Sequence, residues 1–517
     1  MTLDAVGLEV MGHAFASIAE EMGLVLIHSA VSPNIRERRD CSAALFDADG
    51  EMIAQAAHIP VHLGALAEAV AAVRALEPEP GELFVLNDPY AGGSHLPDLT
   101  LVGAIAVEQG LGGYSVVRAH HSDVGGVQAG SMPAGAREIF AEGVIVPPLR
   151  LTREVERFLL ANVRTPAARA ADLAAQRAAV ARGAEGLRAL AARYGWAATQ
   201  AAARDLLDYG ERRTRAVLRG LDAAGLTATD WLEGDGVDER DLPITVRIDV
   251  RDGTFHADFT GTAAAARGNV NCPLAVTRSA VLFVVRTLLP DDVPTNGGVQ
   301  RAVRVSAPAG CLVNARSPSA VAAGNVETSQ RIADTVMLAL AQGGVAVPAQ
   351  GQGTMNNVTF GGGGRVGGGE RGAWTYYETI GGGQGASPGA PGPSGVHVGM
   401  SNTRNTPVEV LELECPLRVC CYALRPGSGG AGTWAGGAGV IREFEALAPM
   451  EVSVLAERRR HAPRGTRGAA AGMVGRTVLN GAVLASKVTA RLEPGDVLRL
   501  ETPGGGGSGP PQQGGTG

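Results

Sequence analysis

Residues 87–98, NDPYAGGSHLPD, and residues 120–126, HHSDVGG, each carry a His-x-x-Asp pair: His95 with Asp98, and His120 with Asp123. Each pair stands where an apolar run stops and a glycine-rich turn begins. Imidazole nitrogen and carboxylate oxygen suit Mn, Fe(II) or Zn, and neither needs a thiol beside it. Asp and His are also common turn and hydrogen-bonded residues, and a single pair would mean no more than that. Two pairs in similar settings make a divalent metal site the leading expectation.

Reading outward, GELFVLNDPY is a strand running into a loop, and DLTLVGAIAV and YSVVRAH are two further strands. Asp88, His95, Asp98 and His120 thus fall at strand ends, where α/β proteins gather active sites. Upstream, Asp49-Gly50 is a hairpin turn between two short apolar strands. Asp40 opens the first of them, after Arg36, Glu37, Arg38 and Arg39. It is either an ion-pair partner for one of those arginines or a further metal carboxylate. His58 and His62 are four residues apart, as in HExxH, but Pro60 lies between them and the Glu is missing. Site-lining or hydrogen-bonded roles are expected for both. Helices are predicted over residues 3–23 and 64–76.

The predicted class is α/β (α+β), multidomain. An N-terminal α/β domain with the metal site covers residues 1–150. A helical segment covers 151–229, with caps at Thr165-Pro166 and Thr199. A central glycine-rich α/β domain covers 230–407, with a hairpin at Asp252-Gly253 and helices from Pro273 and Thr328. Asn325 and Glu327 stand at the second helix entry, as caps or as contacts to a substrate anion. Tyr376, Tyr377, Glu378 and Gln384 are candidate substrate contacts. A β-rich domain covers 408–503, beginning with VEVLELECPLRV read as strand, and 504–517 reads as a flexible tail.

With 517 residues, two to four domains are expected. A net charge of −7 with mixed signs supplies no field for nucleic acid or an anionic membrane. No apolar stretch reaches the ~20 residues of a membrane span, and the N-terminus lacks a basic leader. The six cysteines show no CxxC spacing, which fits reduced thiols in the cytoplasm. Lys487, the one lysine, is not in a GxxxxGK[ST] loop. ATP chemistry, if any, is therefore expected on another chain.

The blocks ERRDCSAALFD, HIPVHLGAL, LNDPYAGGSHLPDLTL, HHSDVGG with AGSMP, RGNVNCPLAVTRSAV, AAGNVETSQRIAD, QGTMNNVTFG, YYETIGGGQGA and ETPGGGGSG resemble the hydantoinase B/oxoprolinase B family, related to acetone carboxylase subunits. The resemblance spans nearly the whole chain. It implies an A-type ATPase partner that uses ATP and Mg to phosphorylate a cyclic amide or imide, and a B-type component that opens the ring at a divalent metal. Carried over, the ligands are Asp40, His95, Asp98 and His120. His121 competes with His120; His120 is preferred because His-x-x-Asp then mirrors the first pair. Asp123 is a ligand or the carboxylate that orients one, so Asp123 and His121 stand as candidates for the catalytic step. His58, His62, Asn325, Glu327 and Glu378 stand as candidates for binding substrate. An ATP-dependent carboxylase subunit is the alternative, and a non-catalytic scaffold for an ATPase is the next.

Overall fold

The computed structural model describes residues 4–221, 223–366 and 369–511. Asp49-Gly50 does close a hairpin: Cys41–Phe46 pairs antiparallel with Met52–Ala57, and Gly50 takes φ +82°. This hairpin is one side of a six-stranded antiparallel sheet. Its order is Met52–Ala57, Cys41–Phe46, Gly110–His120, Asp98–Val107, Leu83–Leu86, Leu149–Arg150. Side chains alternate across it, as strand geometry dictates. Ala43, Leu45, Leu101 and Val117 face one core, while Ala44, Phe46, Val102 and Val116 face another under the helix Ala65–Arg74.

The first core is closed by the helix Ala5–Ser29, whose start is capped by Asp4 accepting from the Gly7 N–H at 2.7 Å. Met11, Phe15, Ile18, Met22 and Leu26 recur at three- and four-residue spacing and are buried. By length and composition this helix could cross a membrane, contrary to the expectation that no stretch would. Its buried face lies on the sheet and on the helix Pro166–Tyr194.

The segment 151–229 forms three helices, Arg153–Ala161, Pro166–Tyr194 and Trp196–Arg219. They share the core of the N-terminal sheet rather than forming a unit of their own. Thr165 is an N-cap position without a side-chain cap bond. Thr199 is not a cap. Gly195, at φ +86°, breaks the helix, and Thr199 sits inside the next turn, donating to the Gly195 carbonyl at 3.0 Å.

The central sheet runs Val303–Ser306, Thr254–Asp258, Asp241–Arg251, Leu226–Glu233. Asp252 and Gly253 form its two-residue hairpin turn, both at positive φ (+51° and +72°). The helices Leu274–Thr287 and Ser329–Gln342 pack on it, the latter entered through a wide turn at Gly324–Thr328.

A third sheet crosses the expected boundary at 407/408. Its order is Gly369–Glu378, Asn357–Val366, Met450–Leu455, Lys487–Leu492. The fourth, with Leu417–Leu424 and Val440–Ala446 at one side, completes the C-terminal core. VEVLELE is not strand but the helix Val408–Glu414; only Leu411 of it is buried, and Pro407 opens it. Buried charges join the central and C-terminal parts. Arg331 pairs with Asp230 at 3.3 Å and with Glu457 at 3.2 Å, and Lys487 pairs with Glu457.

Glycine-rich stretches at 381–386, 390–396, 428–439, 463–473 and 503–509 run side by side outside the four sheets. Their hydrogen bonds recur every three residues. Gly383 and Ala386 donate to Pro503 and Gly506, Gly392 and Gly395 to Ala435 and Ala438, and Gly504 and Gly507 to Met473 and Ala470. Gly504 to Ser508 are buried. The expected tail is therefore an inner thread as far as Ser508, and Pro510 and Pro511 are exposed. Its extended glycines lack side chains to project into solvent, and other backbones take their place.

Candidate metal centre

Register builds the centre. Asp98 begins one strand and His120 ends its antiparallel neighbour, and the two are paired across the ladder. His95 lies in the turn just before Asp98. Its carbonyl accepts from the Asp98 N–H at 3.1 Å, so His-x-x-Asp here is one tight turn. Asp40 precedes the next strand over, and its carbonyl accepts from the His120 N–H at 3.0 Å.

Three ligand-type atoms meet at one point. His95 Nε2 is 3.1 Å from Asp98 Oδ1, His120 Nδ1 is 3.2 Å from the same oxygen, and the two nitrogens are 3.2 Å apart. Two ligands at ~2.1 Å from a common ion lie ~3.0 Å apart at octahedral angles and ~3.4 Å at tetrahedral ones. The triangle falls between these, and all three side chains are buried. The donor set fits a divalent transition ion.

Around the triangle, Asp98 Oδ2 accepts from Ser94 Oγ at 2.5 Å and lies 3.4 Å from His62 Nε2. His62 is fixed in turn by Ser42 Oγ, 2.9 Å from Nδ1. Burial alone would raise the Asp98 carboxyl. The charge on His95 and the hydrogen bonds from His120, His62 and His95 outweigh it and hold the group well below the usual carboxylate range. The Tyr377 ring stacks on His120, with centroids 4.4 Å apart. Its hydroxyl donates to Asn357 Oδ1 at 2.6 Å, and Asn357 Nδ2 donates to Glu327 Oε1 at 3.1 Å.

Of the four expected ligands, His95, Asp98 and His120 come together. Asp40 is buried beside them but outside the triangle, and its charge bears on His95 and Tyr377. His121 and Asp123 are not placed for a catalytic step. Adjacent strand residues face opposite ways, so His121 turns to the helix side and meets Gln176 Oε1 at 2.9 Å. Burial, then the nearby Arg169 charge, drives its pKa down to about 4. Asp123 ties its own loop, accepting from the backbone N–H groups of Gly125, Gly130 and Arg164 and from the Arg164 guanidinium at 2.9 Å.

Among the expected substrate contacts, His62 joins the centre directly. His58 instead lies against the helix Ala5–Ser29, where a Cβ on Gly23 would meet its Nε2 at 2.9 Å. Asn325 and Glu327 are buried in the wide turn, with Asn325 Oδ1 and Glu327 Oε2 lacking a hydrogen-bond partner. Burial pushes the Glu327 carboxyl up to about 8. Glu378 faces the C-terminal core, opposite to Tyr377, and accepts from Tyr376 at 2.9 Å and Arg442 at 3.3 Å. Sequence reasoning did not single out Ser42, Ser94, Asn357 or Glu142. The last is a buried acid accepting from the Val321 and Ala322 N–H groups at 3.0 and 2.9 Å. QGTMNNVTFG held Asn357 in plain view, but only the sheet pairing brings it under Tyr377.

Residues 4–511 match the profile of the family described as Hydantoinase B/oxoprolinase. An uncharacterised protein of Methanocaldococcus jannaschii is 37% identical over 99% of this chain and 92% of its own length. 5-Oxoprolinase 1 of Arabidopsis thaliana is 36% identical over 98% of this chain, which spans only 42% of that protein. The putative B component of a Pseudomonas D-/L-hydantoinase is 31% identical over 98% of this chain and 90% of its own. Among solved structures, the ATP-dependent caprolactamase of Pseudomonas jessenii superposes with a TM-score of 0.89 at 28% identity, covering 99% of this chain and 92% of that one. Acetone carboxylase shares the fold, with a TM-score of 0.84 at 17% identity over 97% and 75% of the two chains.

Proposed function

Because this chain belongs to the Hydantoinase B/oxoprolinase family, we propose that it is the ring-opening subunit of an ATP-dependent cyclic amide hydrolase. The buried triangle of His95 Nε2, Asp98 Oδ1 and His120 Nδ1 carries the reading. An amide is opened by water only with a competent nucleophile and an activated carbonyl. A Mn, Fe or Zn ion held by His95, Asp98 and His120 would lower the pKa of a bound water.

The chain's own groups then hold this centre and its substrate. Ser94 and His62, the latter held by Ser42, fix Oδ2 of Asp98 and so orient its carboxylate. Glu327 stays protonated at neutral pH and, through Asn357, pins the Tyr377 ring over His120. Asn325 Oδ1 and Glu327 Oε2 are the open polar atoms offered to a lactam or imide substituent.

Activation of the carbonyl is assigned to an A-type ATPase partner that uses ATP and Mg and forms a hetero-oligomer with this chain in the cytoplasm. Two findings support it. The oxoprolinase relative is more than twice as long as the part this chain spans, and the hydantoinase relative, matched over 90% of its length, is named as one component of a larger enzyme. The shared fold with acetone carboxylase keeps the carboxylase as the second reading. A pure scaffold would have no use for a buried His-Asp-His set.

The deciding experiment reconstitutes the chain with an A-type partner and follows ring opening of a lactam and imide panel together with metal content. His95→Ala and His120→Ala should lose the metal and at least ~100-fold in ring opening, the scale of a lost ligand or its support, while the partner still consumes ATP. His121→Ala should keep the metal. Full turnover in the metal-free variants would sink the proposal, and bicarbonate-dependent ATP use without ring opening would favour the carboxylase.

A further inference from the structure

Five arginines stand among the largest fully buried side chains: Arg38, Arg118, Arg331, Arg442 and Arg458. Arg331, Arg442 and Arg458 each have a carboxylate oxygen within 3.3 Å. Arg118 spends two of its nitrogens on Thr100 and the Gly92 carbonyl. Arg38 differs from all of these. Its Nη2 alone is engaged, with the Thr379 carbonyl at 3.3 Å, the Thr379 hydroxyl and the Thr403 hydroxyl at 3.1 Å. Its Nε and Nη1 have no partner, and no ion pair with a carboxylate is formed among the described residues.

A buried guanidinium without a directly paired carboxylate is costly. His397, a titratable neighbour, is held down to about 3 by burial and by Arg38 itself, so it stays neutral. His397 Nε2 lies 3.2 Å from the Thr403 hydroxyl. Hydroxyls and a neutral imidazole thus stand on the Nη2 side, and no carboxylate pairs directly with the guanidinium among the described residues. Nε and Nη1 are left open, and a planar fork of N–H groups is suited to an oxyanion.

Its position gives the anion a role. The Arg38 guanidinium carbon is 5.9 Å from the centre of the Tyr377 ring, which stacks on His120. Arg38, Asp40, Asp98 and Glu327 all bear electrostatically on the Tyr377 hydroxyl. Arg38 thus stands one aromatic ring away from the candidate metal centre.

We propose that Arg38, with the hydroxyls of Thr379 and Thr403, is the subsite for an oxyanion carried by the substrate. For its substrate class this rests on the ring-opening reading above. Two sources share that chemistry: the phosphoryl group of the activated amide, and a carboxylate on the ring.

The test uses the full chain with its metal. Inorganic phosphate binding is measured by equilibrium dialysis, and ring opening with an A-type partner is measured for 5-oxoproline and for the neutral 2-pyrrolidinone. Arg38→Met should leave metal content intact and, since it removes an uncompensated charge, should not lower the melting temperature. It should lower ring opening by at least tenfold, with Arg38→Lys between it and the wild type. Lost phosphate binding and equal losses on both lactams identify the phosphoryl group. A loss confined to 5-oxoproline identifies the carboxylate. Phosphate binding and both turnovers within threefold of wild type in Arg38→Met would overturn the subsite. If Arg38→Met does not fold, unchanged phosphate affinity and KM in both Arg38→Lys and Thr403→Val overturn it instead. A chain that opens no ring with any partner, yet binds phosphate in an Arg38-dependent way, would remove the hydrolase reading and leave the subsite standing.

Discussion

Glu142 is a carboxylic acid that the fold keeps neutral. Burial raises it to about 8, against the pull of the Ala322 and Val321 N–H groups and of His95. Between its ordinary value of 4.5 and about 8, the unfolded chain has lost a proton that the folded chain still holds. Stability from this group is therefore full below pH 4.5 and declines as pH rises toward 8. Glu142→Gln, neutral throughout, should remove on the order of 3–5 kcal/mol of that decline. Denaturant titrations at both ends of the window check it, and an unchanged slope in the variant would refute it. At this scale the sequence was legible where chemistry recurs and opaque where direction matters. Two His-x-x-Asp pairs pointed to His95, Asp98 and His120. Which of His120 and His121 faces the centre depends on strand phase, and Asp123 repeats the motif while serving only its own loop. Arg38 and Asn357 were given no role of their own, because their neighbours come from some 340 and 20 residues away.

The glycine threads show how far composition can be read at the scale of elements. The 73 glycines point to close backbone contacts, yet the partner of each contact is set by threads far along the chain. A Cβ on Gly505 would stand 2.0 Å from the Gln384 carbonyl oxygen and 2.7 Å from the Gly385 nitrogen. Both are backbone atoms that cannot swing aside, the same reason only Gly fits where collagen chains meet. Gly505→Ala should cost at least ~3 kcal/mol. Gly135→Ala, with no atom within 4 Å, should stay within about 0.5 kcal/mol of wild type. Thermal melts of the two variants side by side decide this, and equal melting temperatures would mean that the threads yield. The helix Val408–Glu414 was misread for a related reason. Its letters alternate as a strand's do, but with only Leu411 buried there is no sheet face for the alternation to serve.

Over the whole molecule, the paired strands Asn357–Val366 and Gly369–Glu378 supply Tyr377 to the N-terminal centre, and the first of them pairs with Met450–Leu455. Composition shifts located the glycine-rich and β-rich stretches, but strand pairing across some 90 residues leaves no mark in either. A chain ending at residue 407 should therefore not hold the metal centre. Expressed alone, it should show neither a cooperative melt nor bound metal, whereas a folded, metal-loaded fragment would refute the dependence. The placement of residues 503–509 has a consequence for synthesis. This thread is made after the other four, yet it is hydrogen-bonded to three of them, 381–386, 428–439 and 463–473. At ~5–20 residues per second, roughly 6–25 s separate the emergence of residue 381 from that of residue 509. For that interval the earlier threads wait without their central neighbour. Glycine suits the wait: with no side chain to bury and a backbone that water can serve, an idle thread offers little for a misfolded contact to grip.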